Sequence, residues 1–513
     1  MKAPSQSENL RNTWPIYLIA VLASLILSSW MSIHESVINP DGICYLQTAA
    51  TISQTGLRAA STLCDQAKSP FYSAMIYGVK YWSHLSFLTS AWVLNGALSL
   101  LSVISFIYLV SLLGGNKRQL WLAAAVILFA HEFASVREYI ARDHGFWAFY
   151  LLSLTYLLQY FRTQHWQYAV LWSASMLIAA LFRIEGVMFL LFMPFIAWCF
   201  TGRSLIARLR LFLQMNTLTF GLILFAIVFS AKHNSSVPNL ARLTEVWAQL
   251  THGLATLTDH FHIAATGLAQ HVLSPYAAKD ASLVLSLLLI AWYIFSVVAS
   301  MSLLYAFLAL VAWRGRLLPL DKAAKLVLWG YVIVNVVVTG IYLAENLFIS
   351  KRYLFALALI FMLFVPFALE KIFQQRNQYQ IFATVVFVLF ALSAFSGIHH
   401  FGYSKTYLRG AGDWLAQNVP QQAALYTNDV QVMYYSQHFG NDIFAKSKSF
   451  ADVATITGGQ WRQYDYLALR INQHESANTA VLSEIHLTPM KVFANKRGDK
   501  VAIYKIDHQE KTS

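Results

Sequence analysis

Charge is what this sequence has least of: Asp, Glu, Lys and Arg make up only 12% of its 513 residues, against about 25% in soluble proteins. That shortage, set beside 57% apolar residues, excludes an ordinary water-soluble globule and leaves a membrane protein. Cysteine is scarce too. Its three residues, Cys44, Cys64 and Cys199, leave room for one disulfide at most. Cys44 and Cys64 fall in one loop, so in an oxidising compartment they can pair across about 20 residues; two unpaired thiols are the other reading. The first apolar run also lacks an A-x-A-like cleavage site before its polar flank, which points to a retained anchor.

What is present is a series of apolar runs, each long enough to cross a hydrocarbon core of roughly 30 Å as a helix. Eleven are expected, near residues 14–32, 86–113, 120–134, 145–161, 168–182, 184–200, 211–231, 282–313, 326–344, 353–369 and 380–398. With the N-terminus in the cytoplasm, the inside segments carry 14 Lys and Arg in 57 residues, and the outside loops carry 11 in roughly twice that length. This is a positive-inside bias. Eleven spans then send residues 399–513 to the outer side, the periplasm if the membrane is a bacterial inner one. That tail mixes 12 Lys and Arg with 10 Asp and Glu. Short alternating stretches at 423–428, 465–471 and 491–506 predict strands, the last a hairpin turning at Asn495–Asp499, and 405–420 predicts an amphipathic helix. The expected fold class is therefore an α-helical polytopic membrane protein (1–398, with long outer loops at 33–85 and 232–281) followed by a small extracytoplasmic α/β domain (399–513). The formal charge of +13 suits anionic lipid headgroups at the inside loops, with no nucleic acid among the partners.

Ionisable residues beside spans are costly and need a partner, a water-filled cavity or a function. Here they gather on the expected outer side: Asp41; then Arg137, Glu138, Arg142, Asp143 and His144; then Arg183 and Glu185; then Glu345, Lys351, Arg352 and Tyr353. Asp41 shares a helical face with Tyr45 and Thr48. It reads either as a helix cap or turn residue or as a general base beside an acceptor hydroxyl. Glu138 and Asp143 are its candidate acidic partners, or else solvated loop charges pairing locally, and His144 reads as an exposed loop histidine, with metal ligation as the other reading. Arg183, Lys351 and Arg352 suit a phosphate or pyrophosphate, or serve as interfacial anchors.

Acids, cations and lipid access on one side of a membrane form a known pattern. The stretches "PDGICYLQTA" at Asp41, "KSPFYSAMIYG", "REYIARDHGFWAFYLLSL", "LFRIEGVMFLL" and "SKRYLFALAL" together resemble GT-C class integral-membrane glycosyltransferases, in the protein O-mannosyltransferase and aminoarabinose transferase group. The resemblance spans the whole chain in architecture. It implies a polyprenyl-phosphate sugar donor and an acceptor that it leaves unnamed. It further implies Asp41 as base, Glu138 or Asp143 as second acid, and Arg183, Lys351, Arg352 and Tyr353 at the donor phosphate, with Tyr45, Arg142 and Glu185 in support. No D-x-D or E-x-D cluster stands in the second outer loop, so use of a divalent cation (Mg or Mn), known in some relatives, stays open. Asp259, His260 and His262 in the loop 232–281 are a further metal candidate, although that segment reads better as an element gating the acceptor. The rival classes are a transporter or flippase of a lipid-linked saccharide and a non-catalytic envelope assembly factor.

Overall fold

The computed structural model describes residues 6–34, 37–199, 204–233, 257–375, 380–399, 402–438, 459–473 and 487–506. Residues 234–256, most of the first half of the loop expected to gate the acceptor, lie outside them, His252 included. In lipid every backbone N–H and C=O must be satisfied within the segment, so apolar runs become helices. Each of the eleven expected runs falls on helix, whole or in pieces: α1 (Gln6–His34), α5 (Phe87–Leu112), α6 (Lys117–Leu128) with α7 (His131–Val136), α8 (Asp143–Thr163), α9 (Trp166–Phe182), α10 (Glu185–Phe192), α11 (Leu205–His233), α13 (Ala281–Met301) with α14 (Leu303–Arg314), α15 (Lys322–Asn346), α16 (Lys351–Met362) with α17 (Val365–Gln374), and α18 (Gln380–Ile398). A further helix, α12, is described over 257–271.

Five of these helices are long and apolar enough to cross a bilayer alone: α1, α5, α13, α15 and α18. The pair α16–α17, bent by 46°, makes a sixth. α8, α9 and α11 cover their expected runs unbroken, whereas the runs at 120–134, 184–200, 282–313 and 353–369 are interrupted, and three of these interruptions have local causes. Pro366 stands in the first turn of α17 and has no N–H to donate back to the end of α16, so the two cannot run on as one regular helix. Pro194 lies in the 3-10 turn Met193–Cys199 that follows α10, and Ser302, at φ 75°, separates α13 from α14 and caps the latter through Tyr305 N.

The contacts divide the chain into two compact units, the first made of 1–29, 95–137 and 142–399, the second of 30–94, 138–141 and 400–513. Within the first, α5 is mostly covered by other protein, whereas α13 and α18 are mostly bare apolar surface, as lipid-facing helices are. Polar side chains link α8, α9 and α15 inside it: Trp172 Nε1 donates to Tyr331 Oη (3.1 Å), which also bonds Ser153 Oγ (2.8 Å), and Asn335 Nδ2 donates to Tyr150 Oη (2.6 Å). Among apolar neighbours such satisfied bonds fix which faces meet.

The second unit joins the segment 30–94, which the sequence places in the first outer loop, to the tail. Its loop part is α2 (Pro40–Thr55), α3 (Leu57–Ala60), a 3-10 turn (Asp65–Lys68) and α4 (Phe71–Ser83). Its tail part is α19 (Thr406–Asn418), β1 (Leu425–Thr427), α20 (Val430–Ser436), β2 (Tyr466–Ile471), β3 (Lys491–Ala494) and β4 (Lys500–Lys505). The sheet order is β1-β2-β4-β3, with β1 parallel to β2 and the other pairs antiparallel. A parallel pair needs a crossover, and α20 lies within it. The β3–β4 hairpin turns where the sequence places it: Asn495 Oδ1 accepts from the N–H groups of Arg497 and Asp499, and Gly498 takes φ +98°. Tyr426, Trp461, Leu467, Leu469, Ile471, Ala502, Tyr504 and Ile506 form the core beneath the sheet.

Candidate active site

Several of the ionisable residues singled out in the sequence meet in the first unit, and helix ends bring them there. Asp143 opens α8 and Glu185 opens α10, where the positive end of a helix dipole favours a carboxylate. Arg183 sits in extended backbone between α9 and α10. Two glycines permit the approach. A Cβ on Gly145 would meet the Phe182 ring at 2.3 Å, and one on Gly186 would meet Ala180 N at 2.6 Å. Arg183 Nη1 donates to Asp143 Oδ1, Nη2 donates to Glu185 Oε1, and Nε reaches the same oxygen at 3.1 Å. The guanidinium also lies over the Tyr353 ring, 4.2 Å from its centre, and Tyr353 packs edge-on against Tyr342 at 5.0 Å.

Both partners of the Arg183–Asp143 pair are buried. Burial alone would push the Asp143 carboxyl up; Arg183, then Arg352 and Arg142, more than offset it and hold it below the usual carboxylate range. Burial likewise works against the Arg183 cation, and Glu185 and Asp143 reverse that, raising it above its ordinary value. Arg352 Nη1 stands 3.9 Å from Asp143 Oδ2 with a quarter of its side chain exposed, and Lys351 is exposed. Thus each nitrogen of Arg183 donates one N–H to a carboxylate, while Lys351 and Arg352 stand at the start of α16 with more exposure.

Glu132, on α7, is a member of this group that sequence reasoning missed. It is buried, and its charged neighbours are Lys351, Arg352 and Asp143. It sits inside an apolar run, and an acid there is the signal that could have found it. His144 corrects an expectation. It is fully buried, with Nδ1 3.0 Å from Ser99 Oγ and Nε2 3.1 Å from Val136 O, because α8 starts two residues earlier than the expected span and carries it inward.

Asp41, Tyr45 and Glu138 belong to the second unit. Asn39, not Asp41, is the N-cap of α2, and Pro40 follows it. Asp41 lies half-buried in the first turn, accepting from Gln66 Nε2 at 3.1 Å. Cys44 and Cys64 form a disulfide with Cα atoms 6.3 Å apart, which ties α2 to the turn that carries Gln66. Tyr45 is buried edge-on against Tyr72 at 4.9 Å, and Thr48 Oγ1 lies 3.7 Å from Cys64 Sγ.

A divalent cation would need converging oxygen or nitrogen ligands. Among the described residues no three His, Cys, Asp or Glu side chains converge. Asp143 and Glu185 are already neutralised by Arg183, and His260 Nδ1 lies 3.3 Å from Glu345 O. Among the described residues no side-chain set fits a resident metal. A cavity of about 290 Å³ lies elsewhere, lined by Trp313, Lys325, Trp329, Phe361 and Phe364 with other apolar residues. Lys325 is 17 residues from Tyr342 along α15, or about 25 Å, so that cavity belongs to the opposite end of the helices.

Fold and site together define a polytopic α-helical membrane protein with a buried ionic cluster in its helical unit and a small four-stranded sheet in its second unit. No protein-family model matches the chain, and no curated protein matches it. Among solved structures it is similar to ArnT from Cupriavidus metallidurans in the apo state (13% identity, 96% of this chain and 98% of that one, TM-score 0.40). It is also similar to the arabinofuranosyltransferase AftD from Mycobacteria (14% identity, 96% of this chain and 40% of that one, TM-score 0.46). At such identities and scores neither transfers a residue role to this chain.

Proposed function

We propose that the chain is a membrane glycosyltransferase that moves a sugar from a polyprenyl-phosphate donor to a hydroxyl of a lipid, glycan or protein on the outer face of a bacterial-type inner membrane. The observation that carries this reading is the buried group around Arg183. Four cations (Arg142, Arg183, Lys351, Arg352) and three carboxylates (Glu132, Asp143, Glu185) interact there, leaving one positive charge over. Buried charge in a membrane unit marks function, and a cationic excess at the start of a helix suits an anion. The donor phosphate is assigned to Lys351 and Arg352. Arg183, with every nitrogen bonded to a carboxylate, holds Asp143, Glu185 and Tyr353 in place.

Asp41 is assigned the base, with Glu138 as the second acid of its unit. Asp41 takes the proton of the acceptor hydroxyl, and the freed oxygen attacks the anomeric carbon. The bond from that carbon to the phosphate oxygen breaks, polyprenyl phosphate leaves, and the charge growing on it is met by the two cations. Purified protein incubated with a polyprenyl-phosphate-linked sugar and membrane extract should add a sugar mass to one extract component. Asp41→Asn should lower turnover by ~100-fold or more, the usual scale for removing a general base, without changing expression; near-normal turnover would sink the assignment.

The bend between α16 and α17 favours a second reading, because broken helices line the substrate paths of transporters. Vesicles reconstituted with the protein that move the lipid-linked saccharide while forming no product would favour it.

A further inference from the structure

We propose that Gln431 and Tyr435, in the tail, are positioning residues for Asp41, an inference that rests on the assignment of Asp41 given above. Both lie on α20, and together they take up both main-chain groups of one residue in the first outer loop. Gln431 Nε2 donates to Ile38 O at 2.7 Å, and Ile38 N donates to Tyr435 Oη at 3.0 Å. Ile38 and Gln431 are both buried. Two residues separate Ile38 from Asp41, and the second of them, Pro40, has its φ locked by its ring, so the entry path of the chain sets where the carboxylate points.

The next residue is held just as firmly. Asn39 occupies the N-cap of α2, a place where its side chain would ordinarily bond the first turn, yet it makes no such bond. Its Oδ1 accepts instead from Ile140 N (3.0 Å), and its Nδ2 donates to Ile140 O (3.3 Å). Ile140 is two residues from Glu138. A Cβ on Gly42 would meet Asn39 Oδ1 at 2.6 Å and Ile140 Cβ at 3.0 Å, so the crossing is closed to any larger residue. A cap is given up locally and a remote segment is held, which is the arrangement a site needs when its carboxylate must not drift.

The helix α20 is itself anchored. Asp429 caps it by accepting from the N–H groups of Gln431 (2.8 Å) and Val432 (3.0 Å), and its other oxygen pairs with Arg470 on β2 at 2.8 Å. Gly412 lets α19 lie against α20, since a Cβ there would meet Tyr435 Cβ at 2.4 Å. The sheet thus supports α20, α20 holds Ile38, and Ile38 with Asn39 aims Asp41. A displacement of about 1 Å at a reacting group costs on the order of 100-fold in rate.

The test uses the full chain with a polyprenyl-phosphate-linked sugar and membrane extract, reading release of polyprenyl phosphate. Tyr435→Phe removes one oxygen and leaves packing intact. With Gln431→Leu added, kcat should fall by roughly 30- to 100-fold while KM for the donor changes less than about 3-fold. The Ile38 amide should exchange faster with solvent, and in an Asp41→Asn background the same changes should have no further effect. Wild-type kcat in the paired variant, with Asp41→Asn inactive, overturns the positioning role and leaves the Asp41 assignment standing. A fall in kcat that tracks a lowered melting temperature, and that persists in the Asp41→Asn background, marks a merely structural role and also overturns it. Normal turnover in Asp41→Asn removes the base assignment and the positioning role with it. If the paired variant does not fold, Tyr435→Phe alone decides by the same readouts, with a kcat fall of about 5-fold or more expected.

Discussion

Arg183 illustrates how a buried charge is kept in a membrane protein. Its guanidinium has two carboxylates at its edge and an aromatic ring on its face, so its removal does more than delete one pair. In Arg183→Ala, Asp143 remains buried without its nearest counterion and Glu185 half-buried beside it, and breaking a buried pair from one side costs about 3–5 kcal/mol. The pH dependence should change sign as well. In the native protein the depressed Asp143 carboxyl contributes stability that is present above its unfolded pKa of about 4 and lost as the pH falls through the folded value. Without Arg183, burial raises that carboxyl, and the variant should gain stability as the pH falls towards 5. Thermal unfolding of both proteins from pH 8 to pH 5 measures the difference; parallel curves would show that Arg183 does not govern Asp143. The sequence shows Arg183, Glu185 and Asp143 as costly residues between apolar runs. It does not show that Arg183 bonds both carboxylates at once, because that depends on how α8, α9 and α10 pack. Glu132 went unseen for the reverse reason: the run around it is apolar enough to read as a span.

Among the elements, the segment from α2 to the 3-10 turn at Asp65–Lys68 is held by one covalent tie. The Cys44–Cys64 disulfide closes a 20-residue separation, worth about 3 kcal/mol in the chain-entropy account. It also holds the turn carrying Gln66 against α2, where Gln66 bonds Asp41. Reduction, or Cys44→Ser with Cys64→Ser, should lower the unfolding midpoint and reduce transfer several-fold, with donor KM little changed because Lys351 and Arg352 remain. Equal activity before and after complete reduction would show that the tie is dispensable for the site. The two cysteines could be counted from the chain, but whether they pair depended on α2 and the 3-10 turn bringing their Cα atoms within bonding distance. Strand and helix positions in the tail were more legible, since alternation and the Asn495–Asp499 turn are local signals. The breaks at Ser302 and between α16 and α17 were not, because apolar periodicity continues across them while the backbone does not.

At the scale of the whole molecule, the proposed chemistry requires a definite orientation: the outer loop with Asp41 and the tail must face the compartment where the acceptor hydroxyl waits. Basic inside segments argue for a cytoplasmic N-terminus, and the disulfide in the second unit argues for an oxidising environment around that unit. Cys199, the exposed free cysteine, follows α10 at the end of a run expected to finish on the inner side. A membrane-impermeant thiol reagent added to intact cells should therefore leave Cys199 unmodified, and label it once the membrane is opened. A cysteine placed at Ser404, in the exposed start of the tail, should react in intact cells. Labelling of Cys199 from outside together with protection at position 404 would invert the topology, and would move both Asp41 and the tail that holds it to the cytoplasmic face.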